Sequence, residues 1–176
     1  MRTININLPL TKQDICELKT GDKVLLSGTI YTARDKAHKQ LVGMIARKEP
    51  LSFEIRNSVL YYTGPIISEK SGKITSAGPT TSSRMDDYTP PLLQAGVKAL
   101  IGKGSRSAVV KEELKKHNAL YLCAVGGAGV VLADRIVSHQ IIAFPELGLE
   151  AVYKLEVKDF PCYVAIDVSG RVLMTE

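Results

Sequence analysis

Three short segments of this 176-residue chain concentrate cations, hydroxyls and glycines more densely than a hydrophobic core needs. The first, Thr32-Ala33-Arg34-Asp35-Lys36-Ala37-His38-Lys39, joins a strand-like stretch to a helix-like one. Free amides at a helix start, with Arg34 just before it, suit a carboxylate or phosphate. His38 falls one helical turn from Arg34, so both can face one ligand. The alternative is a solvated basic helix start with Asp35 as its cap. The second, Gly78-Pro79-Thr80-Thr81-Ser82-Ser83-Arg84-Met85-Asp86, sets four consecutive hydroxyls behind Gly-Pro and closes with an arginine. A guanidinium fork grips a carboxylate through two donors and hydroxyls fill the remaining lone pairs, although a flexible Ser/Thr loop has the same composition. The third, Ile101-Gly102-Lys103-Gly104-Ser105-Arg106-Ser107, flanks a lysine with glycines ahead of a helix, which lets backbone and dipole approach an anion. Together they offer Arg34, Arg84, Lys103 and Arg106 around a group of hydroxyls, a set matched to a dianionic acid.

The intervening sequence supplies elements to hold such loops. Thr3 to Leu8 alternates as a half-buried strand, and Thr11 to Asp14 reads as a capping box ahead of Ile15 and Leu18. Lys23 to Thr32 reads as a strand, Asp35 to Arg47 as a helix ended by Pro50, and Val59 to Thr63 as a short strand. Ser68 to Ser83 is Ser/Thr-rich with few large apolar residues, which predicts loop. A helix over Leu92 to Gly96 and a strand over Val97 to Ile101 follow. The next helix, Ser107 to His117, has Val110 and Leu114 inward and a Glu112–Lys116 pair outward, and leads to a strand over Ala119 to Val125. Ile141 to Phe144, Ala151 to Val157 and Tyr163 to Val168 read as three more strands. The expectation is one α/β domain over 1–176 with mixed sheets and flanking helices.

Several function classes fall away. The composition is 45% hydrophobic and 23% charged, which excludes a disordered chain or a coiled coil. No apolar run approaches the roughly 20 residues of a membrane span, and no export signal is visible, so the expected compartment is the cytoplasm. The net charge of +5 is spread along the chain and aromatics make up only 6%, so nucleic acid is a weak candidate partner. Gly126-Gly127-Ala128-Gly129 follows a strand, but Leu132 replaces the last glycine of a dinucleotide loop and a tight turn is the better account. Neither does Gly102-Lys103-Gly104 have the spacing of a P-loop. Cys16, Cys123 and Cys162 are far apart with no CxxC pair, as expected of unmetallated, mostly buried thiols. His38, His117 and His139 make no spaced ligand pair, so no metal site is expected on this chain.

The segments Ala33-Arg34-Asp35-Lys36-Ala37-His38, Gly78 to Asp86 and Ile101-Gly102-Lys103-Gly104, in this order, resemble the signature segments of the beta subunit of class I iron–sulfur fumarate hydratase and of the similar beta subunit of L-tartrate dehydratase. The likeness extends to Pro9-Leu10-Thr11 and Ala124 to Ala128, and the length suits a separate beta chain. The resemblance implies a swivelling β/β/α domain and reversible hydration of fumarate to (S)-malate. It implies a 4Fe–4S cluster carried by an alpha subunit, which this chain would join in a heterotetramer. It also implies that Arg34, Arg84 and Lys103 bind substrate carboxylates, that Thr80 transfers the proton with Thr81 beside it, and that His38 belongs to the pocket. Tartrate dehydration is the alternative activity, and a non-catalytic anion- or nucleic-acid-binding module the alternative class.

Overall fold

The computed structural model describes residues 2–173. Strand β1 (Thr3–Asn7) pairs in parallel with β2 (Lys23–Thr32) across helix α1 (Lys12–Glu17). The α1 start is the expected capping box, with the Asp14 amide donating to Thr11 Oγ1 and the Thr11 amide to the Asp14 carboxylate. After β2 come α2 (Asp35–Ala46), β3 (Val59–Tyr61) and a two-stranded hairpin, β4 (Ile66–Ile67) and β5 (Ile74–Ser76). A 3-10 turn over Ser82–Tyr88 enters α3 (Thr89–Ala95), followed by β6 (Ala99–Gly102), α4 (Ala108–Lys116), β7 (Leu120–Cys123) and α5 (Gly129–Ala133). Strands β8 (Ile136–Ala143) and β9 (Val152–Ile166) complete the set.

The strand order β1-β2-β3-β6-β7-β9-β8 does not stay open, because β9 also pairs antiparallel with β2. Strands β2, β3, β6, β7 and β9 therefore close into a ring. One face of these strands fills the interior with Val24, Leu26, Ile30, Tyr61, Ile101, Leu122, Leu155, Phe160 and Val164, joined by Ile15 of α1, Leu18 just after it and Leu132 of α5. The other face of β3, β6 and β7 presents Leu60, Leu100 and Tyr121 to Leu41 of α2, Leu92 and Leu93 of α3, and Val110 and Leu114 of α4. Burial on both faces explains why these three strands read as continuous apolar runs rather than alternating ones. This mixed α/β architecture, sheets flanked by helices, agrees with the class expected from the sequence.

Four local readings need correction. Ser68 to Ser83 holds the β5 strand as well as loop, too short a strand for its alternation to register. The stretches Ala151–Val157 and Tyr163–Val168 belong to one 15-residue strand, β9. Asp159 (φ 51°) and Pro161 imitate a turn there, but the first sits opposite an irregularity at Leu26/Gly28 of β2 and the second stays in register with Leu25. Lys116 pairs with Glu113, not Glu112. Cys16 is exposed, whereas Cys123 is half-buried and Cys162 buried.

Candidate functional site

Strands β2, β3, β6 and β7 run parallel, so their carboxyl ends meet at one rim of the ring. In parallel α/β sheets that rim is where loops converge on ligands. Arg34 follows β2 directly. Past β3 the chain leaves through the hairpin and returns as residues 77–82, and backbone and side-chain bonds stitch this return between β3 and β6. The Tyr61 hydroxyl donates to the Ala77 carbonyl, Thr63 Oγ1 donates to the Gly78 carbonyl at 2.7 Å and the Thr80 amide to the Tyr62 carbonyl at 2.7 Å. Thr81 forms a parallel bridge with Lys103, and the Ser82 amide donates to the Lys103 carbonyl at 3.0 Å. Thr80 and Lys103 thus sit on neighbouring extended segments, Thr80 half-buried and Thr81 exposed. Among the described residues no carboxylate pairs with Lys103.

Arg84 joins this group to the α2 start. Its Nε donates to Asp35 Oδ1 at 2.9 Å and its Nη2 lies 2.8 Å from Asp35 Oδ2. Asp35 is the first residue of α2 rather than its cap, and Arg34 occupies the cap position in extended conformation. The Arg34 side chain lies along Gly64. A Cβ on Gly64 would come within 2.8 Å of the Leu149 carbonyl oxygen and 3.2 Å of Arg34 Nη1. Gly64→Ala is expected to displace Arg34 and to destabilise the fold by about 1–3 kcal/mol, because the nearer obstacle is backbone. Chemical denaturation checks this, and unchanged stability would show that Arg34 can lie elsewhere at no cost.

Two residues grouped with the site by sequence are buried in the fold. His38 is fully buried on the inward stripe of α2 with Ala37 and Leu41. Its Nδ1 donates to the Arg34 carbonyl at 2.8 Å, and the ring packs against Tyr62 and Tyr88. Burial, opposed in part by that hydrogen bond, lowers its pKa to about 4. The ring is therefore neutral at pH 7, and among the described residues its buried Nε2 has no hydrogen-bond partner. An unfolded histidine takes up a proton near pH 6.5 while this one does not, so the unfolded state binds more protons between pH 6.5 and about 4. Stability is expected to fall by about 3 kcal/mol as pH drops through that window and then level off with respect to this group. Urea unfolding at several pH values measures the slope, and its persistence in His38→Phe would refute the assignment.

Arg106 is the second. Its side chain is wholly buried, with Nε donating to Asp86 Oδ1 and Nη2 to Thr89 Oγ1, both at 2.7 Å. The guanidinium lies 5.4 Å from the Tyr62 ring centre and 5.0 Å from that of Tyr121. Burial alone would lower its pKa, but Tyr62 and Asp86 more than offset this and the net shift is upward. Tyr121 Oη donates to the Gly104 carbonyl at 2.8 Å and lies 2.9 Å from Ser82 Oγ, and burial raises its pKa. Gly102 is obligatory at this crossing: a Cβ there would overlap Ser82 Oγ and reach within 2.9 Å of Tyr62 Cδ2. Sequence reasoning missed Tyr62, Asp86 and Tyr121. Only the Asp86–Asp87 pair beside a run of basic loops offered a signal.

No three His, Cys, Asp or Glu side chains come together to hold a metal among the described residues. Cys162, inside β9, has its pKa raised by burial, and Cys16 lies on α1. These thiols do not fit an iron–sulfur cluster, which takes several thiolates at one point. None of the helices among the described residues is long and apolar enough to cross a membrane.

The parallel strand ends of this α/β ring carry two arginines, a lysine and a row of hydroxyls to one rim, a set of donors whose chemistry suits an anion. More narrowly, residues 1–176 match the family described as Fumarase C-terminus, and the chain belongs to that family. It is 39% identical over 173 residues to "Fumarate hydratase 2" of Leishmania major and 36% identical over 172 residues to "Fumarate hydratase class I, aerobic" of Salmonella typhimurium. Each match covers 96% of this chain but only 30% of the relative. To "L(+)-tartrate dehydratase subunit beta" of Escherichia coli it is 31% identical over 176 residues, 97% of this chain and 86% of that subunit.

Proposed function

We propose that this chain is the beta subunit of a two-chain iron–sulfur hydro-lyase that reversibly hydrates fumarate to (S)-malate, acting as one domain that closes over a partner alpha subunit in a heterotetramer of the cytoplasm. The observation that carries the reading is the stitching of residues 77–82 between β3 and β6, which gathers Thr80, Arg84 and Lys103 at the rim that also holds Arg34. The 4Fe–4S cluster belongs to the alpha subunit, since the thiols here do not fit it.

The chemistry of this chain's residues follows from charge. Loss of the C3 proton of malate builds negative charge on the adjacent carboxylate. Arg34, Arg84 and Lys103 hold the two carboxylates and favour that charge-rich species over the ground state. Thr80 Oγ1 takes the C3 proton in dehydration and returns it in hydration, with Thr81 beside it in the pocket. A hydroxyl is a weak base, so the cation on the neighbouring Lys103 strand is needed to favour its deprotonated form.

The dehydration of L-tartrate is the second reading. It is favoured by the length match, because the chain spans 86% of a tartrate dehydratase beta subunit and 30% of a class I fumarate hydratase. Co-expression with a neighbouring alpha-type chain, followed by assays on fumarate, malate and L-tartrate, tests both. Turnover is expected from the pair and none from this chain alone. A cluster-loaded pair inert on all three substrates would overturn the reading.

A further inference from the structure

Asp35 is an acidic residue set among the cations of the rim; as the first residue of α2 it suits the helix dipole, but among the described residues its carboxylate accepts from no amide of the helix. The Lys36 amide at that start is taken by Glu150 Oε2 at 3.0 Å, from a segment 114 residues further along. Arg34, the cap residue, makes no side-chain cap bond. The Asp35 carboxylate is instead turned toward two guanidinium groups. Arg84 lies against it side-on, Nε to Oδ1 at 2.9 Å and Nη2 to Oδ2 at 2.8 Å. Arg34 Nε is 4.0 Å from Oδ2.

The contacts are incomplete. Only the Arg84 Nε–H points squarely at its acceptor. Among the described residues the buried Asp35 Oδ2 accepts no well-aligned hydrogen bond, and the buried Arg34 Nε donates to none. Leaving a buried donor without a partner is costly, and a carboxylate shift of little more than 1 Å would bring Oδ2, held now only by the poorly aligned Arg84 Nη2, to Arg34 Nε.

Resting on the proposed dicarboxylate site, we propose that Asp35 is a positioning residue that occupies Arg84 in place of a substrate carboxylate and passes to Arg34 Nε when that carboxylate arrives. Asp35 aims Arg84 before binding and, by sitting between the two arginines, lowers the affinity of the rim for anions that cannot react. Arg84 reaches its ligand through exchange of one carboxylate for another, and Arg34 gains the partner its Nε lacks.

The exchange makes substrate turnover and inert-ligand binding move in opposite directions. In the two-chain enzyme, Asp35→Asn leaves Arg84 unaimed and is expected to lower kcat/KM about 10–100-fold, and Arg84→Gln added to it should cost less than the same change costs in wild type. The same Asp35→Asn variant removes the internal competitor, so succinate, an unreactive dicarboxylate, should inhibit several-fold more tightly than in wild type. Asp35→Glu keeps the charge and should hold succinate near the wild-type value. Damage to the fold alone would weaken turnover and succinate together. Succinate binding that is unchanged or weaker in Asp35→Asn, or losses that add to those of Arg84→Gln, would overturn the inference. If the wild-type pair turns over no substrate the proposed function fails, and calorimetric titration of succinate into the full chain and its Asp35→Asn variant still decides the exchange: the variant must bind more tightly.

Discussion

Thr80→Val is expected to cut kcat about 10²–10⁴-fold in both directions, with Thr80→Ser restoring part of the loss, the range a positioned acid–base group contributes. The substitution keeps shape and β-branching. The Thr80 amide bond to the Tyr62 carbonyl is a backbone contact, so it survives, and the returning segment stays stitched to β3. What disappears is the hydroxyl alone. If Thr80 only held a carboxylate, Val would raise KM more than it lowers kcat. Thr81→Val is the comparison next door: its side chain is exposed and its bridge to Lys103 runs through the backbone, so a loss well below that of Thr80→Val is expected. The decisive measurement is solvent exchange at the C3 proton of malate in the two-chain enzyme. Near-normal exchange in Thr80→Val would remove Thr80 from proton transfer and leave it a ligand.

Much of the frame was legible because local rules governed it. The bounds of β2 and the Thr11–Asp14 capping box are read directly from strand-prone composition and from spacing. The hairpin and the continuity of β9 were not legible, for different reasons. Two- and three-residue strands carry no measurable period. Strand β9 contains the residues that elsewhere announce a turn, and it persists through them because β2 and β7 pair with it along its length.

At the candidate site, sequence supplied residue types but not which of two similar residues is open to solvent. Arg84 and Arg106 both follow glycine- and hydroxyl-rich loops. One is 49% exposed at its side chain and the other 0%, a difference decided by where Asp86, Thr89, Tyr62 and Tyr121 lie in the fold. His38 has the helical spacing to accompany Arg34, but the inward stripe of α2 claims it. Asp35 looks like a helix cap, but the helix begins at Asp35 itself and Arg34 takes the cap position.

The buried Arg106 leads to the second large effect, Asp86→Ala, expected to destabilise the chain by about 3–5 kcal/mol, the range for stranding a buried charge. For a chain of this size that is a fall in Tm of roughly 6–20 °C. Asp86 accepts from Arg106 Nε through Oδ1 and from the Ser107 amide through Oδ2, each at 2.7 Å. Removing it leaves a guanidinium with no exposure and no counter-ion, and opens the cap region of α4. Thr89 and the two tyrosine rings remain, but neutral partners do not replace a carboxylate. Arg106→Met should cost less than Asp86→Ala, because the charge leaves with the side chain. Adding Arg106→Met to Asp86→Ala should recover stability rather than lower it further, the signature of two groups acting as one unit. Losses that simply add would mean that Asp86 and Arg106 stabilise the fold independently. In the proposed function the pair also has a role at one remove. Arg84 lies two residues before Asp86 and Lys103 three before Arg106, so the clasp fixes the spacing between the two site cations. In the two-chain enzyme, Asp86→Ala assayed well below its Tm should therefore still raise KM, as a loosened pair of carboxylate ligands requires.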